Sequence, residues 1–546
     1  MNPWVLRYVI DGLTVGVPAR RLLFYAGLIV GLSVVQGFFR FWMRKLMIGA
    51  SRKIEYDLRN DYFAHIQTLP VQYFRNTPTG DLMARATNDL DAVRMLLGPG
   101  VMYFFDTVIL FFAALAFMLT INVKLTLFGL LPLPVLTLMV NRIASTVHHR
   151  FRDIQEQYGH LNTKVQENLS GIRVIKAYVR EQSEIESFRT VNEEYVRRNR
   201  ILIHIRSLFF PLMMTLSGAS FIIVLWLGGR QVIGGQITLG DFVAFGGYLM
   251  MLTFPMMMLG WVVDLFQRGS ASMKRIQRVL NEPPFLRNDG VLSEVPIQGA
   301  IEFSNVSFSY NEDGPPVLKD IHLKIEQGTT LAIVGRTGSG KSTLANLIPR
   351  LLEATAGEIR IDGVPIQNIP LHQLRASIGY VPQDPFLFSD SLWENIAYGV
   401  EDVTEEQIRE AARISRIQKD VEDFPQRFET LVGERGVTLS GGQKQRATIS
   451  RAIIRNPKIL ILDDALSSVD THTEEEILNH LKGVMRNRTS IIVAHRISTV
   501  RDADWIIVLD DGRIVEQGKH EDLVALGGIY ADLYHRQQLT EELERM

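Results

Sequence analysis

Long uncharged runs alternate with long charged stretches through the first half of the chain. Apolar runs at about 22–42, 100–121, 124–140, 207–228 and 241–263 each approach the roughly 20 residues that a helix needs to cross a hydrocarbon core of about 30 Å. Residues 96–140 hold two charged side chains, Asp106 and Lys124, and residues 207–262 hold two more, Arg230 and Asp241. The pattern predicts five membrane helices. Asn122 and Val123 alone separate the second and third, whereas 57 residues (43–99) separate the first two and 66 (141–206) the third and fourth. Eight Lys and Arg in 43–95 and eleven in 142–205 put the long connections on the cytoplasmic side. Residues 1–20 read as the tail of a helix running into an external loop, so an earlier membrane helix is expected before them. Ile54, Leu58, Tyr62, Ile66 and Leu69, and again Val165, Leu169, Ile172 and Ile175, recur at helical spacing. The spans therefore extend as helices into the cytoplasm, with corners at 73–81 and 171–178 where Pro, Gly and aromatic residues interrupt the pattern.

After Leu280 the texture changes. Asn281-Glu282-Pro283-Pro284 stops the helix, and residues 281–298 read as a linker between a membrane domain, 1–280, and a second domain, 299–546. In the latter, β-rich runs at 301–310, 331–334, 459–462, 490–493 and 505–509 alternate with helical segments, the pattern of an α/β domain around a largely parallel sheet. Composition removes other classes. With 58 Lys and Arg against 59 Asp and Glu, the net charge of −1 supplies no field for nucleic acid. Zero cysteines exclude disulfides, thiol catalysis and cysteine metal sites.

The chemistry is concentrated in the second domain. Leu331-Ala332-Ile333-Val334 leads into Gly335-Arg336-Thr337-Gly338-Ser339-Gly340-Lys341-Ser342-Thr343, a G-x-x-x-x-G-K-[ST] loop between a strand and a helix. Such glycines let backbone N–H groups converge on phosphate oxygens, Lys341 reaches the β and γ phosphates, and the Ser342 hydroxyl ligates Mg²⁺. The run 459–462 is a buried strand ending in the carboxylate of Asp463, suited to the Mg²⁺ shell. Leu439-Ser440-Gly441-Gly442-Gln443 opens a helix carrying Lys444, Arg446 and Arg451 and forms a second phosphate-facing nest. One P-loop serves one nucleotide, so a second nest implies a second nucleotide contacted from the side.

At this point the chain resembles an ATP-binding cassette exporter over nearly its whole length. The marks are the P-loop, Leu439 to Gln443 as signature, Asp463 as the Walker B carboxylate and Ser467-Ser468-Val469-Asp470 as D-loop. Val381-Pro382-Gln383 is the Q-loop and Ala494-His495-Arg496 the switch segment. Tyr310, 25 residues before the P-loop, is similar to the family's adenine-stacking aromatic, and 430–436 resembles a segment that meets the membrane-domain loops in exporters. The resemblance implies an all-α polytopic membrane domain, six crossings less the first, followed by an α/β P-loop nucleotide-binding domain. The corners around 73–90 and 170–188 become coupling loops. It implies an integral protein of a bacterial inner or plasma membrane with its nucleotide-binding domain in the cytoplasm, working as one of two paired subunits. ATP would be bound by Tyr310, Gly335, Thr337, Gly338, Ser339, Gly340, Lys341, Ser342 and Thr343 of one subunit, and by Ser440, Gly441, Gly442, Gln443 and Asp470 of the other. Mg²⁺ would lie by Ser342, Gln383 and Asp463, with Asp464, His495 and Gln383 as the catalytic set.

One position departs from the family. Asp464 follows Asp463 where most active members carry glutamate, and its carboxylate, one methylene shorter, stops roughly an ångström short of the attacking water. The chain resembles the weakly hydrolytic subunit of an unlike pair whose partner supplies the glutamate; a slow homodimer is the alternative. The expected activity is ATP-driven export of hydrophobic or amphipathic small molecules, drugs or lipids, against a second class in which ATP gates a channel or regulatory protein. Gln36, Arg40 and Asp106 sit in or at the ends of spans, as candidates for a pathway or simply for interhelical pairing. Met250, Met251 and Met256 to Met258, with Phe254 and Trp261, form either a soft surface for varied cargo or ordinary packing.

Overall fold

The computed structural model describes every residue except 1, 17, 285–294, 312–313, 434–438, 470, 495 and 546, and the backbone alone at 133, 136, 140, 141, 144, 253–257, 259, 471, 498 and 540–545. Two compact units result: Met1–Gln67 with Thr79–Glu282, and Thr68–Pro78 with Pro283–Met546.

The first unit is helical throughout. Ala19–Thr68 runs for 50 residues and Glu181–Ile233 for 53, about 75–80 Å each at the α-helical rise, so the apolar spans do continue into the charged connections. Ala19–Thr68, Thr79–Ile121 and Glu181–Ile233 are long and apolar enough to cross a membrane, and Leu239–Leu252 is a shorter apolar stretch. The two-residue connection at Asn122 works because Asn122 turns extended (φ −163°) and its side-chain oxygen accepts from the Leu125 N–H at 2.9 Å, capping the next helix. Pro132 then restarts the chain as Pro132–Ser170, dividing the expected 124–140 span at Leu131. Two π-helical turns, Arg85–Asp89 and Leu96–Gly100, interrupt Thr79–Ile121; Pro99, which has no N–H to donate, sits in the second.

Packing in this unit centres on Ala114, Met118, Leu125, Val224, Phe245 and Leu252, with Tyr248 stacked on Phe117 at 5.3 Å. Small residues bring helices close: a Cβ on Gly98 would meet Ser51 Oγ at 2.6 Å. Buried Asp89 accepts from Ser272 Oγ at 2.9 Å and from Arg275 Nε at 2.8 Å, tying the first π turn to Leu239–Leu280. The N-terminal stretch, expected from sequence to be the tail of a helix running into a loop, is the helix Asn2–Val15. Its Asp11 accepts from Thr238 Oγ1 (2.9 Å) and Gly240 N–H (2.7 Å), and its Arg7 pairs with Asp241 at 2.8 Å. The sequence-predicted corners contain short helices, Val71–Asn76 and Ile172–Ala177.

The second unit is α/β. Its strands are β1 Ile301–Phe308, β2 Leu318–Ile325, β3 Thr330–Gly335, β4 Ala356–Ile361, β5 Val364–Pro365, β6 Ile378–Val381, β7 Ile459–Asp463, β8 Thr489–Val493, β9 Trp505–Asp510 and β10 Arg513–Gly518. They form two sheets rather than one. Strands β2-β1-β4-β5 make an antiparallel sheet, and β10-β9-β3-β8-β7-β6 a second sheet that is parallel except at β10. Exposure alternates along β2, the signature of a sheet with one wet face, whereas β7 and β8 are buried at every position. A helical lobe built on Leu387, Leu392, Ile396, Ile408, Val421 and Ala447 adjoins them. All five parallel strands point their C-terminal ends at one edge, where an open parallel sheet holds its ligand.

Candidate nucleotide site

The loop after β3 turns on three left-handed glycines: Gly335 (φ 149°), Gly338 (φ 85°) and Gly340 (φ 99°). At Gly335 the need is also steric, since a Cβ would come 2.1 Å from Leu509 O. Gly340 caps the helix Lys341–Leu347, whose first N–H groups and dipole face the loop. Lys341 is 5% exposed, and its ammonium folds back to donate to Gly335 O and Arg336 O, both at 2.9 Å. Burial pulls its pKa below the ordinary lysine value, opposed by the charges of Asp464 and Asp463. A desolvated cation held by two carbonyls over a cradle of N–H groups is suited to a polyphosphate.

Ser342 and Asp463, 121 positions apart, are brought together: Ser342 Oγ donates to Asp463 Oδ1 at 2.9 Å. One hydroxyl and one buried carboxylate are the hard oxygen donors that Mg²⁺ takes. Those residues fit the ion, which would neutralise charge on the β and γ oxygens. Gln383 is exposed two residues beyond β6, whose Val381 pairs with Leu462 of β7, placing it at the same sheet edge. Tyr310 donates or accepts with Thr343 Oγ1 at 3.0 Å, and Phe308 meets its ring edge-on at 4.9 Å. The predicted aromatic platform is thus fixed to the P-loop helix.

Asp464 adopts φ 49°, and its backbone is held on both sides. Its N–H donates to Val493 O at 2.9 Å, while its carbonyl accepts from Ser467 Oγ at 3.1 Å and Gln445 Nε2 at 3.4 Å. Asp464 lines a cavity of 210 Å³ with Ser467, Glu474, Arg496 and Thr499. His495 and Asp470 lie outside the described residues, as do positions 434–436 of the segment that resembles the membrane-facing one.

The signature opens the helix Gly441–Ile453 with a capping box. Ser440 Oγ accepts from Gln443 N–H at 3.2 Å, and Gln443 Oε1 accepts from Ser440 N–H at 2.9 Å. Gly441 and Gly442 pass close to Ser468, where added Cβ atoms would meet Ser468 Cβ at 3.4 Å and Ser468 O at 3.1 Å. Three residues the sequence did not single out hold these parts in place. Gln445, 1% exposed, donates to Ser467 Oγ (3.0 Å) and accepts from Ser468 N–H (2.9 Å), joining signature helix to D-loop. Glu474, 4% exposed, accepts from Arg496 Nη1 and Thr499 Oγ1, both at 2.5 Å, and so anchors the segment that follows β8. Asn346 accepts from Tyr380 Oη at 2.9 Å, tying the P-loop helix to β6.

Residues 1–256 match the family described as ABC transporter transmembrane region, and residues 318–467 that described as ABC transporter. The "Probable multidrug resistance ABC transporter ATP-binding/permease protein YheI" of Bacillus subtilis (strain 168) is 40% identical over 542 residues, 98% of this chain and 92% of the relative. The "Multidrug resistance-like ATP-binding protein MdlA" of Escherichia coli (strain K12) is 38% identical over 544 residues, 99% and 92% respectively. A solved bacterial Atm1-family ABC exporter with ATP bound is 28% identical, with a TM-score of 0.80 over 98% of this chain and 94% of that one.

Proposed function

The chain belongs to the ATP-binding cassette transporter family, and on that premise we propose that it is the weakly hydrolytic half of a drug or lipid exporter built from two unlike subunits. It is an integral, multi-pass membrane protein with a cytoplasmic nucleotide-binding domain. The P-loop of this chain and the signature of a partner sandwich one ATP; closure of the sandwich turns the membrane helices outward, and hydrolysis resets them. In that cycle Lys341 and the P-loop N–H groups hold the β and γ phosphates, Ser342 and Asp463 hold Mg²⁺, and Asp464 orients the attacking water. His495 and Gln383 complete the catalytic set, while Ser440 to Gln443 and Asp470 serve the partner's nucleotide. The cargo is hydrophobic or amphipathic, in keeping with relatives named for multidrug resistance.

The observation that carries this reading is Asp464 on a backbone held at both its N–H and its carbonyl. A main chain so held does not advance the roughly one ångström that the shorter side chain lacks, and a misplacement of that size costs about 10²-fold in rate. The test is Asp464→Glu in the purified, lipid-reconstituted transporter. Pairing with an intact partner predicts a change in ATPase rate within about threefold, because the partner's site already carries the flux. A rise approaching the 10²-fold deficit overturns unlike pairing and leaves a homodimer slowed by its own aspartate.

A further inference from the structure

The short helix Val71–Asn76 belongs to the same compact unit as the nucleotide-binding fold. In its last turn, Arg75 places its guanidinium carbon 4.2 Å from the centroid of the Tyr310 ring. That ring has few other ways to bind. Phe308 meets it edge-on and its hydroxyl is engaged with Thr343, so the π face is what Tyr310 offers to a ligand. A guanidinium and a purine use that face for related reasons: the cation is drawn to the negative quadrupole, and the base stacks offset on the same surface.

We propose that Arg75 is a base-site residue contributed by the segment between the first two long helices. It covers the face of the adenine platform and is displaced when the base of ATP stacks there. This rests on the reading of Tyr310 as the adenine platform. The consequence is a direct linkage. Nucleotide entry removes a contact that holds the 68–78 segment to the nucleotide-binding fold, and anything that moves this segment exposes or covers the base site. Ala19–Thr68 runs into the segment and Thr79–Ala84 leaves it, so the exchange takes place in a segment continuous in sequence with long helices on both sides.

The sign of the effect separates displacement from simple electrostatics. Removing a cation near a polyphosphate site weakens binding; removing a competitor from the platform strengthens it. A cation–π contact at an exposed position corresponds to a factor of about two to five in affinity. The experiment is calorimetric titration of the full-length, lipid-reconstituted transporter with the non-hydrolysable analogue adenylyl imidodiphosphate, for wild type, Arg75→Ala, Tyr310→Ala and the double variant. The expected result is two- to fivefold tighter binding in Arg75→Ala, weaker binding in Tyr310→Ala, and no gain from Arg75→Ala once Tyr310 is gone. Unchanged or weaker binding in Arg75→Ala overturns the proposal, as does an equal gain with and without Tyr310. If Tyr310→Ala by itself leaves affinity unchanged, it is the platform reading that fails.

Discussion

At the scale of single residues, the site separates groups proposed to touch phosphate from groups that hold those in place. The first kind is legible in sequence because the G-x-x-x-x-G-K-[ST] pattern has a fixed spacing: Gly335, Gly340, Lys341 and Ser342 fall within eight positions. The second kind is not. Gln445 acts on Asp464, Ser467 and Ser468, 19 to 23 positions away, and Glu474 reaches Arg496 and Thr499 across 22 and 25. Nothing in their own neighbourhoods marks them, since their partners arrive only on folding. Gln445→Ala leaves the Ser468 N–H without its acceptor, at a cost of about 1–3 kcal/mol, and frees the D-loop from the signature helix. The expected outcome is a fall in steady-state ATPase of about tenfold or more, with equilibrium nucleotide affinity within about twofold. A loss confined to affinity would contradict this role.

At the scale of elements, hydrophobic periodicity located the long helices and the buried strands of the parallel sheet, including β3, β7, β8 and β9. The antiparallel sheet was seen only at β1: β2 and β4 carry Lys, Glu, His and Arg on their open positions, which dilutes the apolar signal. The π turns at Arg85–Asp89 and Leu96–Gly100 left no compositional mark apart from Pro99, and the corners hid short helices because six residues are too few for a period to show. The N-terminal helix is seated by tertiary contact: its Asp11 accepts from Gly240 at the start of Leu239–Leu280. A methyl group on Gly240 would lie 2.2 Å from Arg7 O and 2.6 Å from Asp11 Oδ1, whereas on Gly246 its nearest neighbour is 3.8 Å away. Gly240→Ala therefore pushes Asn2–Val15 off its seat and is expected to lower the thermal midpoint in detergent by several degrees, a cost of about 1–3 kcal/mol. Gly246→Ala should leave the midpoint unchanged, and equal behaviour of the two variants would refute the steric account.

At the scale of the whole molecule, the chain carries surface that it does not cover itself. The most apolar stretch of Ala19–Thr68 is 0% buried, and Leu23, Phe24, Val34, Phe39 and Leu46 are all more than 60% exposed. At about 25 cal/mol per Å² of apolar area, such a helix is stable only against lipid or another subunit. The helix Gly441–Ile453 has the same incompleteness: Ser440 is an exposed cap on a nest proposed to close a partner's nucleotide site. Exporter architecture, membrane integration and an ATP-binding cassette were all readable from sequence, because each rests on a long periodic pattern or a tight motif. Whether the partner is unlike was not, because the one feature that bears on it is the methylene that Asp464 lacks relative to glutamate. The most direct measurement is therefore the ATPase rate of this chain purified free of any companion and reconstituted in lipid, set against the same chain paired with the unlike partner proposed for it. The account predicts that the chain alone runs at about a hundredth of the paired rate while still binding nucleotide; equal rates with and without the partner would contradict it.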